Sequence, residues 1–194
     1  MKRTILVILA TMMAIGGFAQ KQAKFTAEDL KQLYNTVQGD YVMPVNDSTT
    51  ATVHITPIWE SQRFQWLYVE ASMENRVVLQ KVLEIEPKSD KVFKMIIHDL
   101  KDSGQFAGKW ANRNFFDGFT KSILGSSSKL TFVKTKDFSY QMNGFKRIKA
   151  LECFPKGDII HIKFVQEDER FYIKRMPKGT NQILGYEGLK KQTD

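Results

Sequence analysis

Alternating apolar and polar positions dominate the chain from about residue 40 onward. A period of two is typical of β-strands that bury one face, because successive side chains point to opposite sides. The pattern predicts strands at 52–57, 64–71, 76–86, 93–98, 130–134, 138–142, 145–151, 159–165, 171–175 and 182–186. Strands at such short and regular spacing predict an antiparallel sandwich or barrel in a mainly β protein.

Turn residues separate these strands. Asn143-Gly144 is the strongest hairpin signal, because both residues tolerate the left-handed conformations of a tight turn. Lys88-Ser89-Asp90 and the segments 155–158 and 177–179 are further turn candidates. A second, short helix is predicted around 112–122, ahead of a Gly-Ser-Ser-Ser loop at 125–128.

One clear helical pattern precedes the strands. Thr26 is a suitable N-cap, and Asp29 three residues later completes a variant of the capping box. Gly39 supplies the stop signal at the other end. The apolar stripe has the i, i+3, i+4, i+7 spacing of one helix face and consists of Leu30, Leu33, Tyr34 and Val37. An amphipathic N-terminal helix should therefore pack against the sheet.

The first residues have the pattern of a secretory signal peptide. Lys2 and Arg3 precede a short apolar run, and Gly17 and Ala19 are the small residues expected before a cleavage site at Gln20. The alternative, an uncleaved membrane anchor, is disfavoured because a spanning helix needs about 20 apolar residues. We therefore expect a signal peptide at 1–19, a single domain at 20–194 without a stable membrane anchor, and a periplasmic or secreted location.

The chain is basic, with a formal net charge of +8 that falls to +6 when Lys2 and Arg3 leave with the signal peptide. A basic protein suggests an anionic partner. Outside the cytoplasm we expect no nucleic acid, and an anionic lipid, a glycan or a carboxylate ligand fits better. The alternative is a set of ordinary solvated lysines, since no block of five or six like charges occurs.

Cysteine and histidine usage bounds the chemistry further. Cys153 is the only cysteine, so no disulfide forms within one chain. It could join two chains as a homodimer or act as a small buried apolar residue. His54, His98 and His161 lack metal-ligand spacing, so we expect no metal site and regard them as strand histidines.

One strand places three functional side chains on the same face. Trp66, Tyr68 and Glu70 are two residues apart, so they share one side of a strand. If that side faces a barrel interior, Glu70 is a buried acid with a raised pKa that could hold a proton for a ligand. If it faces outward, it is an ordinary exposed surface. The pattern alone leaves both alternatives open.

Several segments in order resemble the CpeT/CpcT family of chromophore lyases. The helix leading into Gly39-Asp40-Tyr41, the Trp66-to-Ala71 stretch with its Tyr-x-Glu, Gln80-Lys81-Val82, and the stretch 98–110 are similar to consecutive family motifs. The likeness covers mainly residues 30–110. The chain departs from the family pattern at Ala71, where the family has Gln, and at 77–79, where it has Pro-Tyr-Arg.

The resemblance implies an antiparallel calycin- or lipocalin-like β-barrel that holds an open-chain tetrapyrrole (bilin) and presents it to a protein cysteine. It implies Glu70 as the catalytic acid, Tyr68 as its hydrogen-bond partner, and Trp66, Gln80 and Lys81 as ligand contacts, with Lys81 meeting a carboxylate. No other cofactor is implied. An exported member would not meet cytoplasmic phycobiliproteins, so the fold could serve a changed task.

Three hypotheses of different classes follow. The first is an exported barrel that binds an apolar or amphiphilic, anionic small molecule. The second is an envelope interaction protein without a small ligand, for which a large exposed apolar patch would speak. The third is an enzyme, a lyase attaching a tetrapyrrole to a cysteine, for which the Tyr68-x-Glu70 likeness speaks.

Overall fold

The structure of this protein is a computed structural model. It describes residues 26–44, 49–59, 66–89, 92–135, 139–144, 146–147, 159–165, 170–176, 179, 184–185 and 189–192. Over these residues the protein is mainly β, with twelve antiparallel strands in one curled sheet and one α-helix. The predicted signal peptide and Cys153 lie outside the described residues. None of the described helices is long and apolar enough to cross a membrane.

The elements have these bounds. The helix α1 is Ala27–Val37, and the strands are β1 (Gly39–Pro44), β2 (Thr50–Pro57), β3 (Trp66–Met73), β4 (Arg76–Pro87), β5 (Val92–Leu100), β6 (Leu124–Lys134), β7 (Ser139–Met142), β8 (Lys146–Arg147), β9 (Ile159–Val165), β10 (Arg170–Met176), β11 (Leu184–Gly185) and β12 (Leu189–Lys191). Between β5 and β6 lie four 3₁₀ helices: Ser103–Phe106, Lys109–Ala111, Arg113–Gly118 and Lys121–Ile123.

The strand pairings form a closed ring. Consecutive strands pair from β1 to β7, β7 pairs with β9, and β9 pairs with β10. The ring then returns to its start, because β12 pairs with both β10 and β1. A hydrogen bond of 2.7 Å from the Gln192 amide to the Asp40 carbonyl continues that last pairing. The predicted barrel-like architecture is therefore confirmed at this level.

The hairpin predicted at Asn143-Gly144 is wrong. β7 and β8 both run antiparallel to β9, so the chain keeps its direction through these two residues. Gln141 pairs with Lys163, and Lys146 pairs with Ile160. The chain therefore has two more residues between Gln141 and Lys146 than β9 has between their partners. The segment is therefore a bulge, in which Gly144 takes a left-handed φ of +79°. The turn predicted at Lys88-Ser89 is confirmed, since both amides bond to the Val92 carbonyl.

The inner face of the ring carries the main core. Apolar side chains from almost every strand meet there: Tyr41, Val53, Ile55, Leu67, Val69, Ala71, Leu79, Ile85, Phe93, Ile97, Leu130, Phe132, Tyr140, Met142 and Phe164. Leu33, Tyr34 and Val37 of α1 pack into the same cluster. A face shared by nearly all strands of a closed sheet is its interior, so α1 covers the barrel interior.

Helix α1 closes one end of the barrel. Its capping box forms as predicted, with reciprocal bonds between Thr26 and Asp29. The Tyr34 hydroxyl lies 3.4 Å from the carbonyl of Trp66, at the start of β3. Lys191, at the end of β12, donates to the Thr36 carbonyl in the last turn of the helix. In an antiparallel barrel the start of one strand and the end of its neighbour lie at the same rim. The start of β3 and the end of β12 both contact α1, so the helix lies across that rim.

A second layer covers the outer face of β2 to β4. We call residues 101–123 the covering segment. Its Phe106 and Phe116 pack on Trp66 and Tyr68 in a separate apolar cluster. The short helix predicted around 112–122 is instead two 3₁₀ helices, because the carbonyls of Asn112 and Phe116 accept at i+3 spacing. Gly118, in the middle of this stretch, disfavours an α-helix there.

Candidate functional site

The predicted site residues lie on two opposite faces of the sheet. Trp66, Tyr68 and Glu70 point outward, because Leu67 and Val69 between them belong to the inner core. Gln80 pairs directly with Glu70 and shares the outer face, while Lys81 points inward. Trp66, Tyr68 and Glu70 are nevertheless buried, since the covering segment lies over them, and Gln80 is partly buried. Neither alternative from the sequence, a barrel interior or an exposed face, describes this arrangement.

Glu70 is the centre of a buried hydrogen-bond network. The Tyr68 hydroxyl donates to Glu70 Oε2 at 2.7 Å, and Gln80 Nε2 donates to the Tyr68 oxygen at 2.7 Å. The backbone amide of Gly108 donates to the same carboxylate at 2.9 Å. Glu70 itself is 1% exposed. The carboxylate therefore joins strand β3 to the covering segment through bonds to neutral donors.

The network keeps Tyr68 protonated. Burial raises the pKa of the Tyr68 phenol far above its usual value, and the hydrogen bond to the Glu70 carboxylate raises it further. The phenol is therefore a permanent donor to Glu70. Tyr68 and Glu70 bond to each other, and Gln80 and the Gly108 amide bond to them as well. This geometry gives the two side chains a role in holding the covering segment rather than in contacting a ligand inside the barrel.

Of two histidines on the outer face, His54 helps attach the covering segment, and His98 bonds within the sheet. The His54 ring stacks on Trp110 with 3.6 Å between ring centroids, and its Nδ1 lies 2.7 Å from Asp40 Oδ1. His98 Nε2 lies 3.3 Å from Glu84 Oε2 on the same outer face. These are partly buried strand histidines with carboxylate partners. In the part of the chain that is described, no group of His, Cys, Asp and Glu could hold a metal ion.

Lys81 is a buried cation on the inner face. Its Nζ lies 2.7 Å from Asp99 Oδ1, and its side chain is 7% exposed against 36% for Asp99. The Ser126 hydroxyl donates to the other oxygen of Asp99. Burial alone would raise the pKa of Asp99, but the hydrogen bonds from Lys81 and Ser126 outweigh it and hold that pKa below its usual value. The Asp99 carboxyl is therefore ionised at neutral pH.

This inner ion pair lies toward the end of the barrel opposite α1. Asp99 is the next-to-last residue of β5, and Ser126 is the third residue of β6, where both strands approach the covering segment. The sequence interpretation missed Asp99 and Ser126. The signal was available for Asp99, because it continues the inner positions Phe93, Met95 and Ile97 of β5 at a spacing of two. One polar site therefore faces the interior near the rim that α1 does not cover.

A second inner ion pair lies at the helix end. Lys134 Nζ on β6 is 2.5 Å from Asp29 Oδ1 in the first turn of α1. Burial raises the pKa of Asp29, but the hydrogen bonds from Lys134 and Thr26 outweigh it and the net pKa is lowered. This pair connects residues far apart in the chain and holds the helix across the barrel rim. Its role is structural, because it joins α1 to β6.

Comparisons with known proteins add no assignment to this geometry. No protein-family model matches the chain. No curated protein matches it either.

Proposed function

We propose that this protein is an exported, calycin-type β-barrel of the CpeT/CpcT kind that binds an apolar or amphiphilic small molecule carrying an acidic group. The observation that carries the proposal is Lys81, a cation on the inner face of a barrel whose other inner side chains are almost all apolar. A buried ammonium is costly to desolvate, and its partner Asp99 is itself 36% exposed, so an acidic group of a ligand could add to the compensation of this charge.

The apolar part of the ligand would contact the inner core. Phe93 and Phe132 stack there with 5.1 Å between ring centroids, and Tyr41 contacts Phe171 edge to face at 5.5 Å. These side chains are buried or partly buried against each other, so an apolar chain or a tetrapyrrole would have to open part of this packing. The apolar surface that it then removes from water would stabilise it by about 25 cal/mol per Å². A bilin, with an apolar ring system and propionates, meets both requirements of the interior.

The acidic group would bind Lys81. An ammonium has three donors, and among the described contacts Lys81 spends one on Asp99. The remaining donors can serve a ligand carboxylate near the rim opposite α1. Asp99 and Ser126 would orient the lysine, and the partial exposure of Asp99 keeps the repulsion between two carboxylates weak.

The proposal stops at binding and includes no lyase step. Glu70 and Tyr68, the acid and its partner under the family resemblance, lie on the outer face with their oxygens already bonded. A ligand in the barrel would be separated from them by the sheet. Binding by the inner face is therefore the function that this geometry supports best.

The test begins with native mass spectrometry of the exported protein purified from its own host. Calorimetric titration with a long-chain fatty acid and with a bilin then follows. Tryptophan fluorescence is a poor probe, because Trp59, Trp66 and Trp110 all pack in the outer layer. The informative variant is Lys81→Met, and the matched control is Lys94→Met, whose ion pair with Glu86 lies at the surface.

We expect Lys81→Met to weaken binding at least about tenfold, the effect of losing one charge-assisted hydrogen bond, and Lys94→Met to leave it unchanged. A clean apo mass together with no heat of binding for either ligand would overturn the proposal. Equal affinities for wild type and Lys81→Met would remove Lys81 from the site.

A further inference from the structure

Four polar side chains lie together inside the barrel, near the rim opposite α1. We call Lys81, Asp99, Ser126 and Ser128 the rim site. Lys81 Nζ donates to Asp99 Oδ1 at 2.7 Å, and the Ser126 hydroxyl donates to Asp99 Oδ2. Ser128 is the next inner residue of β6, because it pairs directly with Ile97 of the core, two residues before Asp99. The rim site therefore brings a cation, an anion and two hydroxyls to one end of an apolar interior.

A β-bulge aims Ser126 at Asp99. The pairing of β5 with β6 shifts between His98 and Leu100, so that Gly125 and Ser126 both lie opposite the single residue Asp99. Bulges of this kind re-aim a side chain, and they are common at barrel rims and next to functional sites. The rim site is therefore built by paired strands rather than by a surface loop.

Both charges of the rim site have bonding capacity left. A carboxylate has about four acceptor positions, and among the described residues Asp99 receives one hydrogen bond each from Lys81 and Ser126. An ammonium has three donors, of which Lys81 uses one in the same set of contacts. Asp99 is 36% exposed and Lys81 is 7% exposed, so a ligand reaches the anion from the solvent side and the cation from the interior.

The negative charge of Asp99 limits how well a purely acidic head group fits the rim site. An acid bound to Lys81 would lie close to Asp99, because the Asp99 carboxylate is already 2.7 Å from the same Nζ. The partial exposure of Asp99 weakens the repulsion between the two acids but does not remove it. A positive group of the ligand beside Asp99 would turn this repulsion into an attraction.

We propose that the amphiphile in the barrel has a zwitterionic head group, with its phosphate or carboxylate on Lys81 and Ser128 and a primary ammonium on Asp99. This inference rests on the proposed function and narrows its ligand class. A primary ammonium suits Asp99, because its N–H groups can bond the acceptor positions that Lys81 and Ser126 leave available, whereas a trimethylammonium has no donor. The head group would stay at the rim, where Ser126 is exposed and Ser128 is half-buried, and only the apolar chain would enter the core.

The test compares single-chain phospholipids with the same acyl chain, by calorimetric titration of the exported protein below the concentration at which these lipids aggregate. Lysophosphatidylethanolamine has a primary ammonium, lysophosphatidylcholine has a trimethylammonium, and lysophosphatidylglycerol has no positive group. Free phosphoethanolamine, the head group without the chain, shows whether the barrel interior takes part. The informative variant is Asp99→Asn, and the matched control is Glu86→Gln, which removes an acid from a surface ion pair.

We expect the wild type to bind lysophosphatidylethanolamine at least about tenfold more tightly than lysophosphatidylglycerol, the effect of one charge-assisted hydrogen bond, with lysophosphatidylcholine between them. In Asp99→Asn this preference should disappear, because the ethanolamine lipid loses its partner and the glycerol lipid loses a repulsion. Glu86→Gln should keep the preference. Free phosphoethanolamine should bind at least about tenfold more weakly than its lipid, because it has no apolar surface to remove from water.

Equal affinities of the wild type for the ethanolamine and glycerol lipids would overturn this inference and leave binding in the barrel intact. An unchanged preference in Asp99→Asn would do the same, and so would equal binding of phosphoethanolamine and its lipid. No heat with any of these lipids or with a fatty acid would overturn both proposals. The comparison of lipids on the wild type needs no variant, and thermal unfolding checks that Asp99→Asn folds.

Discussion

The carboxylate of Glu70 accepts the backbone amide of Gly108 at 2.9 Å, across 38 residues of sequence. This bond joins the middle of β3 to the covering segment. Tyr68 adds a second connection, because its hydroxyl lies 3.1 Å from the carbonyl of Phe106. The residues that a family resemblance marks as catalytic therefore hold two layers of the protein together.

Replacing Glu70 by Gln should destabilise the protein by roughly 1–3 kcal/mol, because a buried acceptor of several bonds is exchanged for a group that also brings unpaired N–H donors. Urea unfolding measures the loss, and hydrogen exchange should show faster exchange of the Gly108 amide. Glu86→Gln is the control, since that side chain is about half exposed. Unchanged stability of Glu70→Gln would contradict the structural role.

Tyr68→Phe should cost roughly 1–2 kcal/mol of stability, because it removes the hydroxyl that bonds Glu70 and Gln80 while keeping the ring. In a double-mutant cycle with Glu70→Gln, the two effects should be clearly less than additive, because Tyr68→Phe removes the 2.7 Å bond that Glu70→Gln weakens by removing the charge of its acceptor. Strict additivity would show that the two side chains act independently.

The ion pairs of Asp99 and Asp29 should make the protein less stable in acid. Both carboxyls have pKa values lowered below their usual value near 3.8, so their contribution is present above that value and is lost as pH falls through the folded-state pKa. The free energy of unfolding should therefore decrease below about pH 4. In Asp29→Asn and in Asp99→Asn, the free energy of unfolding should decrease less as the pH falls. The same pH dependence in both variants as in the wild type would contradict this prediction.

Gly39→Ala should lower stability by more than 1 kcal/mol, a rough figure for a side chain forced into a left-handed conformation. Gly39 has a φ of +131°, and a Cβ there would lie 2.7 Å from Cε of Lys191. That lysine also donates to the helix end, so the change should loosen α1. Gly104→Ala is the control, because open space surrounds that position. Equal melting temperatures for the two variants would refute this reasoning.

Local features could be predicted from the sequence because short-range physics decides them. The capping box of Thr26 and Asp29 and the turn at Lys88-Ser89 involve neighbours only, and both are confirmed. The strands predicted around 52–57, 76–86 and 93–98 are confirmed for the same reason, whereas β1 and β12 were not predicted and the loop predicted at 125–128 lies within β6. Asn143-Gly144 failed because a left-handed glycine serves a bulge as well as a turn, and only pairing with β9 selects between them.

Strand alternation and the capped amphipathic helix follow from the amino-acid pattern, since they depend on residues close together in the chain. Which face of each strand is the interior depends instead on contacts between distant parts of the chain. Alternation places Trp66, Tyr68 and Glu70 on the same face of their strand, but it does not say whether that face is the inner or the outer one. The covering segment, some 40 residues later, buries that face from outside, and closure of β12 onto β1 leaves Lys81 inside.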